Sequence, residues 1–176
     1  MYLYQTRRPY DSIISLGQSC LPSIYLAKHN LRTFSGVLDW MISESLSQVN
    51  VLLYNRFANF MLLENLEYAG TDSSGDNYMF RDRLYQIISV HDFPVTSNTP
   101  WHLADYPVFR AKLDRRIQRL LDKFAHDRDI LFVRLGGTYL EAQQLEQILA
   151  QLVHHNFHVL MVQHSDHPEA VDQCWP

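Results

Sequence analysis

The chain has 176 residues, the size of one domain, with 47% hydrophobic and 19% charged residues, which places it among globular proteins. A formal net charge of -4 gives no excess of basic residues for nucleic acid, and no run approaches the roughly twenty apolar residues that span a bilayer. The two cysteines, Cys20 and Cys174, are too few for a disulfide framework and form no Cys-x-x-Cys metal or redox pair.

Free thiols in a reducing, cytoplasmic setting are therefore expected. Residues 1–9 read as an irregular arm; their basic residues follow the apolar ones, which is not the order of a signal peptide. Ser12 to Leu16 reads as a short buried strand, and Gly17 permits a sharp turn out of it. Ser19 suits an N-cap, with Pro22 tolerated in the first turn of a helix that runs to about Asn30. Cys20 stands where that helix begins. The positive end of a helix dipole favours a thiolate there, so Cys20 is a candidate nucleophile. Gln18 has two readings: a side-chain donor to a developing oxyanion, alongside the Cys20 backbone N–H, or an ordinary turn residue.

Val37 to Ile42 is apolar except for Asp39, a carboxylate that needs a partner if buried. Asp39 either orients a catalytic histidine or serves structure, by capping a helix or pairing with an arginine. Ser45 with Gln48 marks the next helix start, lined by Leu46, Val49 and Leu53. Arg56 to Leu66 suggests helical turns, and Gly70 to Asn77 an exposed loop. Tyr78–Phe80 and Leu84–Val90 read as a β-hairpin whose second strand runs into His91-Asp92. His91 is the first choice as base and His164, after the last strand, the second; Asp92 competes with Asp39 as the orienting acid.

The last third alternates helix and strand. Phe109, Leu113, Ile117, Leu120 and Phe124 form one helical stripe, interleaved with Arg110, Lys112, Arg115, Arg116 and Arg119. Those basic residues face either an anionic group or solvent. Ile130–Val133 is a buried strand, Thr138 to Glu141 a capping box, and Phe157–Val162 the final strand. This pattern predicts one α/β domain over residues 1–176, with three layers, a mainly parallel sheet and a β-hairpin insertion. Ligands of such sheets bind beyond the strands' carboxyl ends. Gly17, Ser19, Arg134 and His164 are thus candidate ligand-binding residues. The cluster His164-Asp166-His167 has ligand types but no metal-site spacing, and Gly136-Gly137-Thr138 lacks both nucleotide-binding patterns. No metal or cofactor is expected.

Taken together, Ile14–Cys20, Leu31–Ser35 with Leu38-Asp39-Trp40, His91-Asp92-Phe93, Arg115-Arg116 and Ile130–Arg134 resemble a bacterial family of unknown function described as papain-like cysteine peptidases. The likeness runs from about residue 10 to about residue 165. It implies Cys20 as nucleophile, His91 as base and Asp39 or Asp92 as orienting acid, and it makes an α+β papain-like fold the alternative. The implied activity is hydrolysis or acyl transfer on a peptide or acyl substrate. The competing reading is a ligand-binding or glycan-processing domain that uses the strand-end rim without covalent chemistry.

Overall fold

The computed structural model describes residues 3–166, 169 and 171–172. Cys174 and His167 lie outside them. β1 (Ser12–Ser15), β6 (Asp129–Leu135) and β7 (Asn156–Val162) form a parallel sheet in the order β1-β6-β7. β2 (Met41–Ile42), β3 (Leu66–Thr71), β4 (Asn77–Asp82) and β5 (Ile88–Pro94) form an antiparallel sheet in the order β2-β5-β4-β3. The helices are α1 (Leu21–Lys28), α2 (Leu46–Tyr54), α3 (Tyr106–His126) and α4 (Tyr139–Leu152).

The fold is therefore mixed α and β, and one expectation needs correcting. The parallel sheet is the smaller of two, and the expected hairpin is half of a four-stranded antiparallel sheet. β3 has no clear sequence signal because its residues alternate poorly: only Leu66, Ala69 and Gly70 are even partly covered. The segment after α2 is coil and turns, and only Leu63–Asn65 forms a 3-10 helical turn. Arg56, Phe57, Asn59 and Met61 all take positive φ. Side chains from distant elements hold this coil: the Asp82 carboxylate accepts from the Met61 N–H and Arg110 donates to the Phe60 carbonyl.

β6 is covered on both faces, as a parallel strand requires. Ile130 and Phe132 enter the main core, whereas Leu131 and Val133 pack with Leu26 of α1. α3 links the two sheets. Phe109 near its start packs on Phe93 of β5, with ring centroids 4.9 Å apart, and Phe124 near its end packs on Phe132 of β6 at 5.7 Å. One continuous cluster of buried side chains thus includes Ile14 and Phe132 from one sheet and Phe80 and Phe93 from the other. The sequence signals for helix starts are realised: Ser45 Oγ accepts from the Gln48 N–H, and Thr138 and Glu141 form a reciprocal capping box. No helix among the described residues is long and apolar enough to cross a membrane.

Candidate active site

The ladder between β1 and β6 continues past β1, where the Leu135 N–H donates to the Gly17 carbonyl. Gly17 then turns with φ +79° and Gln18 follows at φ +92°, a region side-chain-bearing residues rarely adopt. Ser43 holds this turn. Its N–H donates to the Gln18 carbonyl at 3.0 Å, and its Oγ accepts from the Gln18 N–H at 3.1 Å. A Cβ on Gly17 would stand 2.8 Å from the same Oγ, so glycine is needed both for its φ and for space.

Arg134 fixes Ser43 from below. Its guanidinium is fully buried and donates to the carbonyls of Leu16, Ser43 and Glu44 and to Ser43 Oγ. Burial pushes its pKa down to about 10, and the charge of Glu141 opposes this only in part. The expectation that Arg134 binds ligand is corrected here: it is occupied with the backbone of the turn and has no face open to solvent.

Cys20 is the N-cap of α1, with αR backbone angles and no side-chain capping bond. Ser19 Oγ accepts instead, from the Leu21 N–H at 3.3 Å. Cys20 is half-buried, and its Sγ lies 3.9 Å from His91 Nε2. Segment 39–43 joins the two. Ser43 clamps the turn before Cys20, while Met41 and Ile42 pair with Ser89 and Ile88 of β5, the strand that carries His91. Trp40 meets the His91 ring edge to face, with centroids 6.1 Å apart.

A bulge in β5 aims the imidazole. Tyr78 pairs with Phe93 and Phe80 with Ser89, so Val90, His91 and Asp92 all stand opposite Met79. A second bulge lies opposite the same residue in β3, between Tyr68 and Thr71. It leads into Asp72, whose Oδ2 lies 3.8 Å from His91 Nδ1. The loop to β4 wraps the Asp72 carboxylate: Oδ1 accepts from Ser74 Oγ and from the Asp76 and Asn77 N–H groups, and Oδ2 from Asn77 Nδ2 at 2.8 Å. These bonds, that from Asn77 foremost, lower the pKa of Asp72 to about 2.

Neither acid expected to orient His91 pairs with its ring among the described residues. Asp39 is buried and accepts from Arg32 Nη1 and from the Gly36 N–H, each at 2.8 Å. Asp92 accepts from Ser89 Oγ at 2.6 Å and pairs with Lys112 of α3. Asp72 escapes a sequence reading because Gly70–Asn77 reads as an exposed loop. The available signal is its spacing, an aspartate followed by Ser74, Gly75 and Asn77, which is a self-bonding turn. His164 is exposed beyond β7. That strand is two places from β1, about 10 Å away at the usual strand spacing. Gln18 turns its side-chain amide towards Gly136, where a Cβ would meet it at 3.5 Å.

The electrostatics also depart from expectation. Burial, and then the charge of Asp39, push the Cys20 thiol up, and the backbone N–H of Cys20 itself offsets this only in part. That direction is opposite to the one the helix terminus alone would give. Cys20 is only part-buried and His91 has 47% of its side chain exposed, so both groups reach the surface.

Residues 11–167 match the model of the family described as "Putative papain-like cysteine peptidase". The chain belongs to this family. No curated protein and no solved structure matches it. For this family member the coarse reading is a cysteine hydrolase on a mixed α and β scaffold; His91 approaches the Cys20 thiol, and Asp72 stands at the far ring nitrogen of His91. Among the described residues no group of His, Cys, Asp and Glu side chains is arranged to hold a metal ion.

Proposed function

We propose that this papain-like family member hydrolyses a peptide or acyl substrate, or transfers its acyl group, through a thioester on Cys20. The observation that carries this reading is the 3.9 Å approach of Cys20 Sγ to His91 Nε2, with Asp72 behind Nδ1. His91 takes the thiol proton as Sγ attacks the substrate carbonyl. The imidazolium returns that proton to the departing amine or alcohol, leaving the thioester. Water, deprotonated by His91, then releases the acid and restores the thiol; a second nucleophile in place of water gives transfer. Asp72 holds the imidazole in the tautomer with its proton on Nδ1 and stabilises the imidazolium. The Cys20 N–H and the Gln18 side-chain amide are the donors for the oxyanion.

With burial and Asp39 raising the Cys20 pKa, His91 acts in this reading as a general base during attack rather than as one half of a resting ion pair. A reducing cytoplasm suits such a free thiol. The test is labelling and turnover with acyl probes: wild-type protein forms a hydroxylamine-sensitive adduct on Cys20, and Cys20→Ala and His91→Ala do not. Absence of any adduct with thioester, ester and peptide probes would overturn it.

The raised thiol pKa favours one other reading, a domain that binds a glycan or other ligand at the rim without covalent chemistry. Under that reading Cys20→Ser keeps full ligand affinity and there is no turnover to lose.

A further inference from the structure

α1 is turned inside out. A surface helix ordinarily buries its apolar stripe and shows its polar side to water. In α1 the residues spaced i, i+3, i+4 and i+7, Leu21, Ile24, Tyr25 and Lys28, are all exposed, Leu21 at 45%, Ile24 at 44% and Tyr25 at 56%. The buried side carries only Ser23 and Leu26. Leu26 packs with Leu131 and Val133 of β6, while Ser23 Oγ is enclosed without a hydrogen-bond partner among the described residues. Enclosing an unpaired hydroxyl and leaving three large apolar side chains in water is unfavourable on both counts. Such a face calls for a ligand.

The stripe starts at the thiol. Cys20 has αR backbone angles and the Ile24 N–H donates to its carbonyl at 3.0 Å, so the helical spacing includes Cys20. Leu21 is the next residue in the chain. Ile24 lies one turn on, its Cβ about 5–6 Å from that of Cys20 at this spacing. Helical side chains lean towards the N-terminus, so Ile24 leans towards Cys20. α1 carries no charge before Lys28, whose Nζ lies 5.9 Å from the Tyr25 ring centroid and closes the far end.

The size and charge of the face select its occupant. Three side chains fall short of the roughly 800 Å² per partner that a stable interface with a second copy needs. An eight-residue helix with one lysine, in a chain of net charge -4, is poorly matched to an anionic membrane surface. A substrate held at Sγ by its own carbonyl meets the stripe directly. We propose that the outer face of α1 holds a linear apolar acyl chain whose carbonyl Cys20 attacks. The substrate class is then a fatty acyl ester, thioester or amide, its chain lying along Leu21, Ile24 and Tyr25 over the length of α1, about 12 Å at 1.5 Å per residue. This rests on Cys20 being the reacting thiol.

N-alkylmaleimides from ethyl to decyl test it, since they lengthen an apolar chain on a group that the sulfur itself attacks. Rates on Cys20, followed by mass on its tryptic peptide, are compared with rates on a short cysteine peptide. A methylene half covered by an open face predicts a gain of about twofold each over the peptide. The gain should end once the chain outreaches about 12 Å. Ile24→Ser combined with Tyr25→Ser should flatten it, and Ile24→Leu should keep it. A wild-type series no steeper than the peptide's, with N-ethylmaleimide still labelling Cys20, overturns the inference and leaves the nucleophile reading standing; that comparison needs no variant to fold. An unchanged gain in the double variant also overturns it. Dimerisation of the wild-type protein that the double variant abolishes gives the stripe to a second copy and overturns it as well. Failure of N-ethylmaleimide itself to label Cys20 sinks both readings.

Discussion

His91 Nδ1 stands 3.8 Å from Asp72 Oδ2, and each of these residues is delivered by its own β-bulge opposite Met79. The register around one residue of β4 therefore sets both positions. Asp72 is ionised at any pH at which an imidazole is useful, because its hydrogen bonds lower its pKa to about 2. Asp72→Ala is expected to slow acylation of Cys20 about tenfold at neutral pH, the effect of removing one carboxylate charge 3.8 Å from the imidazolium. Asp92→Asn is not expected to do so, since Asp92 serves Lys112 and Ser89. Probe-labelling rates for the two variants separate these roles. Equal slowing by both would deny Asp72 the orienting role.

The pH dependence of stability follows from the same carboxylate. Asp72 binds its proton less tightly when folded, about 2 against 3.8, so its contribution is complete above pH 3.8 and is lost as pH falls towards 2. Urea midpoints of wild-type protein should fall over that window, and those of Asp72→Asn should fall less. Parallel curves for the two proteins would contradict the assignment.

Cys20 titrates in the opposite sense. Burial and Asp39 favour the thiol, so iodoacetamide labelling of the resting protein should rise at a higher pH than labelling of an unstructured cysteine peptide. A profile midpoint below the peptide's would indicate a standing thiolate and a different division of labour with His91. Asp39→Asn is expected to lower the midpoint. It also leaves Arg32 without its ion-pair partner, at a cost of about 3 kcal/mol for a buried pair and a Tm lower by roughly 6–12 °C.

Much of this is legible in the sequence, and the limit has a physical form. α2 and α4 announce themselves through Ser45 and Thr138, α3 through its apolar stripe, and β1, β6 and β7 as apolar runs. Those signals are local. The Cys20–His91 approach depends on Ser43 reaching Gln18 and on β2 pairing with β5, neither of which has a local signature. Asp39 draws attention because it sits among apolar residues, yet such a burial is what an arginine partner permits, and Arg32 supplies it. Asp72 draws none, because a loop rich in Gly, Ser and Asp looks solvated whether or not a strand carries a histidine beside it.

The turn before Cys20 offers the last test. Gly17→Ala would place a Cβ 2.8 Å from Ser43 Oγ at a φ of +79°. Strain and clash together should cost about 2–4 kcal/mol, roughly 4–16 °C in Tm. Ser43→Ala removes the acceptor shared by the Gln18 N–H and Arg134 Nη1, leaving buried donors unpaired at a cost of about 2 kcal/mol. The double variant should be less destabilised than the sum of the two, because losing the Oγ removes the atom with which the methyl introduced by Gly17→Ala would collide. Strict additivity in urea unfolding would mean that the turn tolerates the methyl by moving. In that case Cys20 labelling in Gly17→Ala should also fall, since the moving turn carries the sulfur away from His91.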